Sequence, residues 1–283
     1  MGDLVAKGFD EIPGVSVTAE PGHRRALEEV SMDDDDAWSA VAAEWAELWG
    51  GFADPVRHLI VVATGIRPET RVLDVGCGSG EFLAVLTDIG AVAAGIDPAP
   101  GMIEFARARV PEADIRSGAV ESLPWPDASF DAVIAINSLQ FADDPDAALA
   151  EMRRVTVAGG FVAVANWADA ARNDIHVLER AVAASFDEEL PPDDALRMPG
   201  GLEELFRRGC IALVAGGTVA APWGAPDDNT LVRGILLGED SAGLADGAAT
   251  VISAASPFRM PGGGYRLDNA FRYAVGRTPT SSA

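Results

Sequence analysis

The sequence predicts an α/β fold in which short buried strands alternate with helices around a mostly parallel sheet. Residues 72–75 and 91–97 are short apolar runs, each followed by a helical stretch, and residues 131–137 are apolar nearly throughout. A central parallel strand is covered on both faces and therefore shows such a continuous apolar run. With 283 residues and 48% hydrophobic content, the chain suffices for one large α/β domain with insertions, or for a domain with a cap.

Charge and composition narrow the classes of partner. The net charge of −23 comes from 44 acidic against 21 basic residues, so nucleic acid and anionic membrane are poor partners. No apolar stretch approaches the roughly 20 residues of a membrane span, and no leader pattern opens the chain, so we expect a cytoplasmic protein. Cys77, Cys210, His23, His58 and His176 do not have the spacing of metal ligands, so no metal is expected.

The N-terminal part divides into two segments. Residues 1–34 are polar and end in consecutive aspartates, which predicts a disordered acidic segment, although carboxylates also suit the start of the next helix. Residues 35–66 turn helical and are expected to form an N-terminal helical cap. Trp38, Trp45 and Trp49 fall near one face of this stretch, which predicts that the face packs against a partner surface.

Residues 71–82 carry the feature around which the chain is organised: a buried strand, then alternate glycines, then a helix over 81–88. The glycines are Gly76, Gly78 and Gly80. Glycine enters positive φ without a Cβ penalty, and a helix N-terminus leaves backbone N–H groups unpaired. We therefore expect a tight turn that lies close to a ligand, in the crevice at the carboxyl ends of the strands.

Three alternatives for this glycine turn are separated by spacing. A phosphate-binding loop of the Walker type requires Gly-Lys-Ser/Thr, and no lysine follows Gly80. A dinucleotide fingerprint requires Gly-x-Gly-x-x-Gly, whereas here the third glycine comes one residue early. That shorter turn suits a ligand without a pyrophosphate. A tight turn without any ligand is the third alternative.

The second strand ends in Asp97, about 20 residues beyond the glycine turn. A carboxylate in this position can accept hydrogen bonds from both hydroxyls of a ribose. Its structural alternative is an N-cap for the helix that begins at Pro98 or Gly101. Met102, in the first turn of that helix, is suited to contact an adenine face or to be plain core.

The stretch Val-Leu-Asp-Val-Gly-Cys-Gly-Ser-Gly at 72–80 resembles the first motif of class I S-adenosylmethionine-dependent methyltransferases. The run over 148–160 is similar to the small-molecule branch that includes the ubiquinone and menaquinone biosynthetic enzymes, and the resemblance is continuous from about 37 to 166. It implies a Rossmann-like seven-stranded sheet of order 3-2-1-4-5-7-6 with helices on both faces. It also implies a methyltransferase domain over 67–283 with a lid insertion at about 222–260, acting on a small molecule as a monomer or homodimer.

The resemblance implies S-adenosylmethionine as cofactor and S-adenosylhomocysteine as product. The cofactor-binding residues that it implies are Asp74, Gly76, Cys77, Gly78, Gly80, Asp97, Pro98, Met102, Ala119, Val120, Glu121 and Asn137. The chain departs from the family at Ala119, where similar enzymes often carry an aspartate that accepts from the adenine amino group. Adenine recognition is then expected from the backbone of Ala119 and Val120, with Glu121 or water accepting from the amino group.

The end of the fourth strand, residues 137–141, is where the fourth motif of similar enzymes lines the reaction centre. Many relatives place a histidine there, whereas this chain offers Gln140, which cannot take a proton at neutral pH. We therefore expect no obligatory general base. Gln140 and His176 are candidates only for positioning the substrate, and the catalytic residues remain unassigned. Two alternatives stay open: an enzyme of this fold that uses the cofactor for ring closure, and a non-catalytic cofactor-binding protein.

The segments outside the sheet are expected either to cover the site or to lie on the surface of the domain. The tryptophans of the N-terminal cap either pack on the domain or roof the substrate pocket, as the cap does in similar methyltransferases. The insertion at about 222–260 is expected to cover the active site. Tyr265 and Arg259, Arg266 and Arg272 are expected on the solvated surface rather than in contact with substrate.

Overall fold

The computed structural model describes residues 35–280, and the predicted disordered segment at 1–34 lies outside them. The strands are β1 (Arg71–Val75), β2 (Val92–Asp97), β3 (Asp114–Ser117), β4 (Phe130–Ile136), β5 (Thr156–Trp167), β6 (Ala212–Ala220), β7 (Trp223–Ala225), β8 (Tyr265–Leu267) and β9 (Ala270–Arg277). The helices are α1 (Asp35–Leu48), α2 (Asp54–Thr64), α3 (Glu81–Ile89), α4 (Pro100–Arg109), α5 (Pro145–Val155), α6 (Ile175–Ser185), α7 (Gly201–Arg208), α8 (Asp228–Ile235) and α9 (Ser241–Ala254). Short 3₁₀ turns occupy 139–141, 170–172 and 256–258.

The main sheet has seven strands in the order β3-β2-β1-β4-β5-β9-β6. Strands β1 to β5 pair in parallel, and β9 lies antiparallel between β5 and β6. The predicted order 3-2-1-4-5-7-6 is confirmed, because β7 and β8 form a separate two-stranded sheet and β9 is the seventh strand of the main one.

Helices cover both faces of the sheet. Leu83 of α3 and Ile60 of α2 belong to the core on one face, and Met152 of α5 and Phe206 of α7 to the core on the other; all four are fully buried. This double cover explains why the central strands read as continuous apolar runs. It also leaves the carboxyl ends of β1, β2 and β4 as the edge where a crevice can form.

The predicted helical stretch at 35–66 is two helices separated by a turn at Gly50 and Gly51. A Cβ on Gly50 would lie 2.5 Å from the carbonyl oxygen of Ala46, so the chain turns away from α1 at the one residue type that fits. Helix α1 lies against α4 and α8, and α2 lies against the sheet.

The segment between β6 and β9 contains β7, α8, α9 and β8. The expectation of a solvated surface position was wrong for Tyr265 of β8 and for Arg272 of β9. Tyr265 is 3% exposed and its hydroxyl donates to Asp228 Oδ1 at 2.7 Å. Arg272 is 6% exposed and its Nε donates to the carbonyl of Arg197 at 3.2 Å, because β9 is an inner strand of the sheet. None of the helices within 35–280 combines the length and apolarity needed to cross a bilayer.

Candidate ligand-binding site

The glycine turn between β1 and α3 has the backbone that the sequence predicts. Gly76, Gly78 and Gly80 have φ values of 69°, 51° and 88°. A Cβ on Gly76 would lie 2.2 Å from Ser138 Cβ, and one on Gly80 would lie 2.9 Å from Ala106 Cα. A Cβ on Gly78 would meet nothing within 4 Å. Two glycines therefore allow close packing of neighbouring segments, and Gly78 borders open space that a ligand can enter.

Asp97 holds this turn from the end of β2. Its Oδ2 accepts from the backbone N–H of Gly78 at 2.9 Å, and its Oδ1 accepts from the N–H of Ala99 at 3.0 Å. The N-cap alternative was wrong, because α4 begins at Pro100 with Ala99 as its N-cap and no side chain capping it. Each carboxylate oxygen has a second lone-pair site, so Asp97 can still accept from ligand hydroxyls.

A cavity lies at the carboxyl ends of β1, β2 and β4. The space within it that is open to the centres of water-sized spheres is about 110 Å³. The residues that line it are Trp38, Trp45, Phe52, Ala53, Arg57, Asp74, Gly76, Cys77, Gly78, Glu81, Phe82, Asp97, Pro98, Met102, Ile136, Asn137, Ser138 and Phe141.

Two buried carboxyls dominate the electrostatics of the cavity. Burial raises the pKa of Asp74 to about 7, with Arg57 opposing the rise and Asp97 adding to it. Burial also raises the pKa of Asp97 to about 6, against the backbone hydrogen bonds from Gly78 and Ala99. A cationic group placed between these carboxyls would favour their ionised forms and would itself be stabilised.

Among the residues described, Arg57 of α2 is the one arginine that lines the cavity. It is 7% exposed, and its Nη1 donates to the carbonyl of Gly50 at 2.7 Å and to Asp54 Oδ1 at 2.8 Å. Its buried Nε has no hydrogen-bond partner in the described part of the chain. A buried N–H without a partner is costly, so an acceptor on a ligand would satisfy it.

Helix α1 forms the roof of the cavity through Trp38 and Trp45. Its Ser39 lies directly on the first turn of α4: a Cβ on Gly101 would be 2.6 Å from the Ser39 carbonyl oxygen, and Ser39 Oγ accepts from the Gly101 N–H at 3.0 Å. Glycine at 101 therefore lets α1 approach α4 at backbone distance.

Most of the residues expected to bind the cofactor meet at this cavity. Asp74, Gly76, Cys77, Gly78, Asp97, Pro98, Met102 and Asn137 line it. Gly80 instead packs against Ala106 of α4. Ala119, Val120 and Glu121 follow β3 outside the lining, where the loop is held on α5: the Leu123 N–H donates to Glu151 Oε2 at 2.9 Å.

The two candidates for substrate positioning also lie outside the lining. Gln140 Nε2 donates to Asn137 Oδ1 at 3.2 Å, so Gln140 reaches the cavity only through a residue that lines it. His176 lies on α6 with its Nδ1 3.5 Å from Glu179 Oε2. Within 35–280, no cluster of side chains has the composition of a metal site.

Sequence reasoning missed Arg57 and Phe52 as lining residues, whereas Phe141 belongs to the stretch 137–141 that was expected to line the reaction centre. Arg57 is the most consequential of these, because it supplies the positive charge that faces Asp74. A signal existed in the sequence: a lone arginine within the apolar run of α2, whose other buried positions include Val56 and Ile60.

A parallel sheet with a glycine turn after its first strand and a carboxylate after its second, both facing one cavity, defines a Rossmann-like ligand-binding domain. Residues 73–164 match the family model described as a methyltransferase domain. Over these residues the chain is similar to methyltransferase domains, in agreement with the resemblance of its glycine turn to the first motif of that family.

Named relatives agree with this assignment. The chain is 40% identical over 111 residues to a demethylmenaquinone methyltransferase of Renibacterium salmoninarum, covering 39% of this chain and 47% of that protein. It is 38% identical over 96 residues to a malonyl-[acyl-carrier protein] O-methyltransferase of Serratia marcescens, covering 34% and 38%. The chain thus spans less than half the length of these relatives.

Solved structures share the fold. The YcgJ protein of Bacillus subtilis superposes with a TM-score of 0.57 at 19% identity, covering 80% of this chain and 98% of that one. The [4+2]-cyclase SpnF superposes with a TM-score of 0.54 at 21% identity, covering 83% of each chain. At these identities the likeness concerns the fold alone.

Proposed function

We propose that this protein is an S-adenosylmethionine-dependent methyltransferase that methylates a small molecule on oxygen, nitrogen or carbon and releases S-adenosylhomocysteine. The observation that carries the proposal is the convergence of the glycine turn and the buried Asp97 on one cavity within a methyltransferase domain. The names of the relatives, which refer to a menaquinone precursor and to malonyl-acyl-carrier protein, support an acceptor that is not a nucleic acid.

The chemistry of the cavity fits this cofactor. Asp97 would accept from the ribose hydroxyls, and Met102 would contact the adenine face. Asp74 presents a buried carboxyl that a bound ammonium group would ionise, and Arg57 a buried guanidinium, which match the ammonium and carboxylate of an amino acid. Ala119, Val120 and Glu121 would contact the adenine edge; only their position after β3 supports this, because they lie outside the lining.

S-adenosylmethionine supplies an electrophilic methyl group on a cationic sulfur. The protein then has to hold an acceptor in line with that group, which can lower a barrier by about 7–11 kcal/mol without any proton transfer. Trp38, Trp45 and Phe141 line the cavity and would contact the acceptor. Asn137, which accepts from Gln140, would orient the acceptor at the end of β4.

Calorimetry and mass spectrometry test the proposal in sequence. Isothermal titration of the full chain should show binding of S-adenosylmethionine and S-adenosylhomocysteine, with NAD as the control ligand for a dinucleotide site. A mass-spectrometric screen of candidate acceptors should then detect S-adenosylhomocysteine. Acceptor conversion without S-adenosylhomocysteine would support the ring-closure alternative. Binding of neither adenosyl compound would overturn the proposal.

A further inference from the structure

Part of the cavity lining is made of aromatic rings from α1 and from the end of β4. Trp38 and Trp45 have ring centroids 5.2 Å apart and planes at 90°, and Trp38 and Phe141 have centroids 6.0 Å apart and planes at 69°. All three side chains line the cavity and are only partly buried. The rings therefore present surfaces in different directions, two from α1 and one from the 3₁₀ turn that follows β4.

The cavity lining is also acidic. Asp74, Glu81 and Asp97 belong to it, against one arginine, Arg57, among the described residues that line the cavity. Glu81 is already paired with Arg109, whose Nη2 lies 2.9 Å from Glu81 Oε1. Because Arg57 is itself paired with Asp54, the two aspartates leave an excess of negative charge around the cavity. A cationic sulfonium is attracted to this environment, and so is any cation formed on the acceptor.

Three kinds of acceptor respond differently to this lining. A carboxylate would be repelled by its acidic residues. A hydroxyl needs a proton acceptor; Asn137, Ser138 and Gln140 at the end of β4 cannot serve as one, and the proposed function assigns Asp74 and Asp97 to the cofactor. An amine that has released its proton to solvent attacks through its lone pair without a base, and its product is a cation, which aromatic faces attract.

We infer that the acceptor is a small amine and that Trp38, Trp45 and Phe141 form a cage for the ammonium group of its N-methylated product. The inference rests on the proposed function and adds the substrate class. The amine nitrogen uses its lone pair to form the new nitrogen–carbon bond, and the carbon–sulfur bond breaks with its electron pair left on sulfur. The positive charge passes from sulfur to nitrogen. A primary or secondary amine then loses a proton to solvent, and a tertiary amine retains the charge.

A binding experiment tests the cage without relying on turnover. The full chain, saturated with S-adenosylhomocysteine, is titrated by ligand-observed NMR with choline and with its uncharged isostere, in which a quaternary carbon replaces the nitrogen. Choline should bind at least about tenfold more tightly, since both ligands have the same shape and only one carries charge. Equal affinities, or tighter binding of the isostere, would overturn the inference.

Graded variants assign the charge preference to the rings. Trp38→Leu should abolish most of it and Trp38→Phe should retain an intermediate part, because tryptophan has the strongest attraction for cations. Phe105→Leu is the matched control, since Phe105 is an exposed aromatic residue of α4 that does not line the cavity. Circular dichroism melting confirms that each variant is folded. A preference unchanged in Trp38→Leu would contradict the assignment.

The outcomes separate this inference from the proposed function. If S-adenosylhomocysteine fails to bind, both fall together. If it binds and choline shows no advantage, the proposed function stands and the amine class is wrong. An acceptor screen that contains matched amines, phenols and carboxylic acids adds a second measurement, in which S-adenosylhomocysteine should form with amines at least about tenfold faster.

Discussion

Trp49 and Trp223 stack face to face, with ring centroids 4.5 Å apart and planes 12° apart. Each indole also donates to the backbone of the other segment: Trp49 Nε1 to the Gly234 carbonyl at 3.1 Å, and Trp223 Nε1 to the Leu48 carbonyl at 2.8 Å. This reciprocal contact joins the end of the N-terminal helix to the segment between β6 and β9. The position of the cavity roof therefore depends on both segments.

Trp223→Ala should reduce the free energy of unfolding by about 3–5 kcal/mol, because it removes a buried indole and leaves a cavity. Trp223→Phe keeps an aromatic face against Trp49 but loses the bond to Leu48, which should cost about 1 kcal/mol. Urea denaturation followed by circular dichroism measures both. Wild-type stability in the alanine variant would show that the stack does not hold these segments together.

Asp97→Ala should weaken binding of S-adenosylhomocysteine by at least about 1.5 kcal/mol, since charge-assisted bonds to two hydroxyls are lost. Asp97 also holds Gly78 and Ala99, so the variant alone does not separate ribose contact from turn support. Calorimetry with a 2′-deoxy analogue of S-adenosylhomocysteine separates the two roles. The wild-type protein should bind the analogue more weakly than S-adenosylhomocysteine, whereas the variant should bind the two ligands equally. Full additivity of the two changes would refute the ribose contact.

The affinity for S-adenosylmethionine should fall as the pH is lowered from 8 to 5, by about tenfold relative to S-adenosylhomocysteine. The pKa of Asp74 is raised to about 7 and that of Asp97 to about 6, so both carboxyls lose their charge in this range. A sulfonium cation is stabilised by the ionised carboxyls, whereas the thioether carries no charge. Calorimetric titrations of both ligands at several pH values measure the ratio, and Asp74→Asn should flatten its pH dependence.

Asp74→Asn should make the fold more stable at pH 8 by about 2–4 kcal/mol. Burial raises the pKa of Asp74 from 3.8 to about 7, so its favourable contribution is complete below about pH 4 and is lost as the pH rises through about 7. An amide carries no charge and avoids that loss. Thermal melts at pH 4 and pH 8 should show the gain only at the higher pH, with the exposed Asp88→Asn as control. Destabilisation at pH 8 would show that the buried charge is fully compensated.

Gln140→Ala should lower turnover by about tenfold to a hundredfold through misplacement of Asn137, with cofactor affinity unchanged. His176→Ala should leave turnover nearly intact, because His176 lies on α6 outside the cavity lining. Steady-state rates with an acceptor from the screen measure both. A loss of several powers of ten in the histidine variant, with folding preserved, would reveal a general base and contradict the expected mechanism.

Features encoded within short segments were predictable from the sequence. Gly76 and Gly78 come just after β1, and Asp97 is the last residue of β2. The types and spacing of these residues therefore identify the turn and the carboxylate. The strand order came from the resemblance and was confirmed. The environment of Asp97 was not predictable, because its bonds to Gly78 and Ala99 depend on how the turn meets the end of β2.

Features made by distant segments were not predictable. Arg57 acquires its role only when α2 brings it beside Asp74, and Trp223 meets Trp49 across 174 positions of chain. Tyr265 appeared suited to the surface because nothing near it in sequence indicates Asp228 as its partner. Pairings of this kind are set by tertiary packing, which local periodicity does not record.

The contact between Ser39 and Gly101 has a consequence for the size of ligand that the cavity can admit. Helices α1 and α4 meet there through main-chain atoms, because a Cβ on Gly101 would lie 2.6 Å from the Ser39 carbonyl oxygen. The separation of the two helices at this contact is a backbone dimension. Neither residue is among those that line the cavity, so substitutions in the lining cannot move α1 away from α4, and any redesign for a bulkier acceptor has to remove side-chain volume from lining residues such as Phe52 or Phe141.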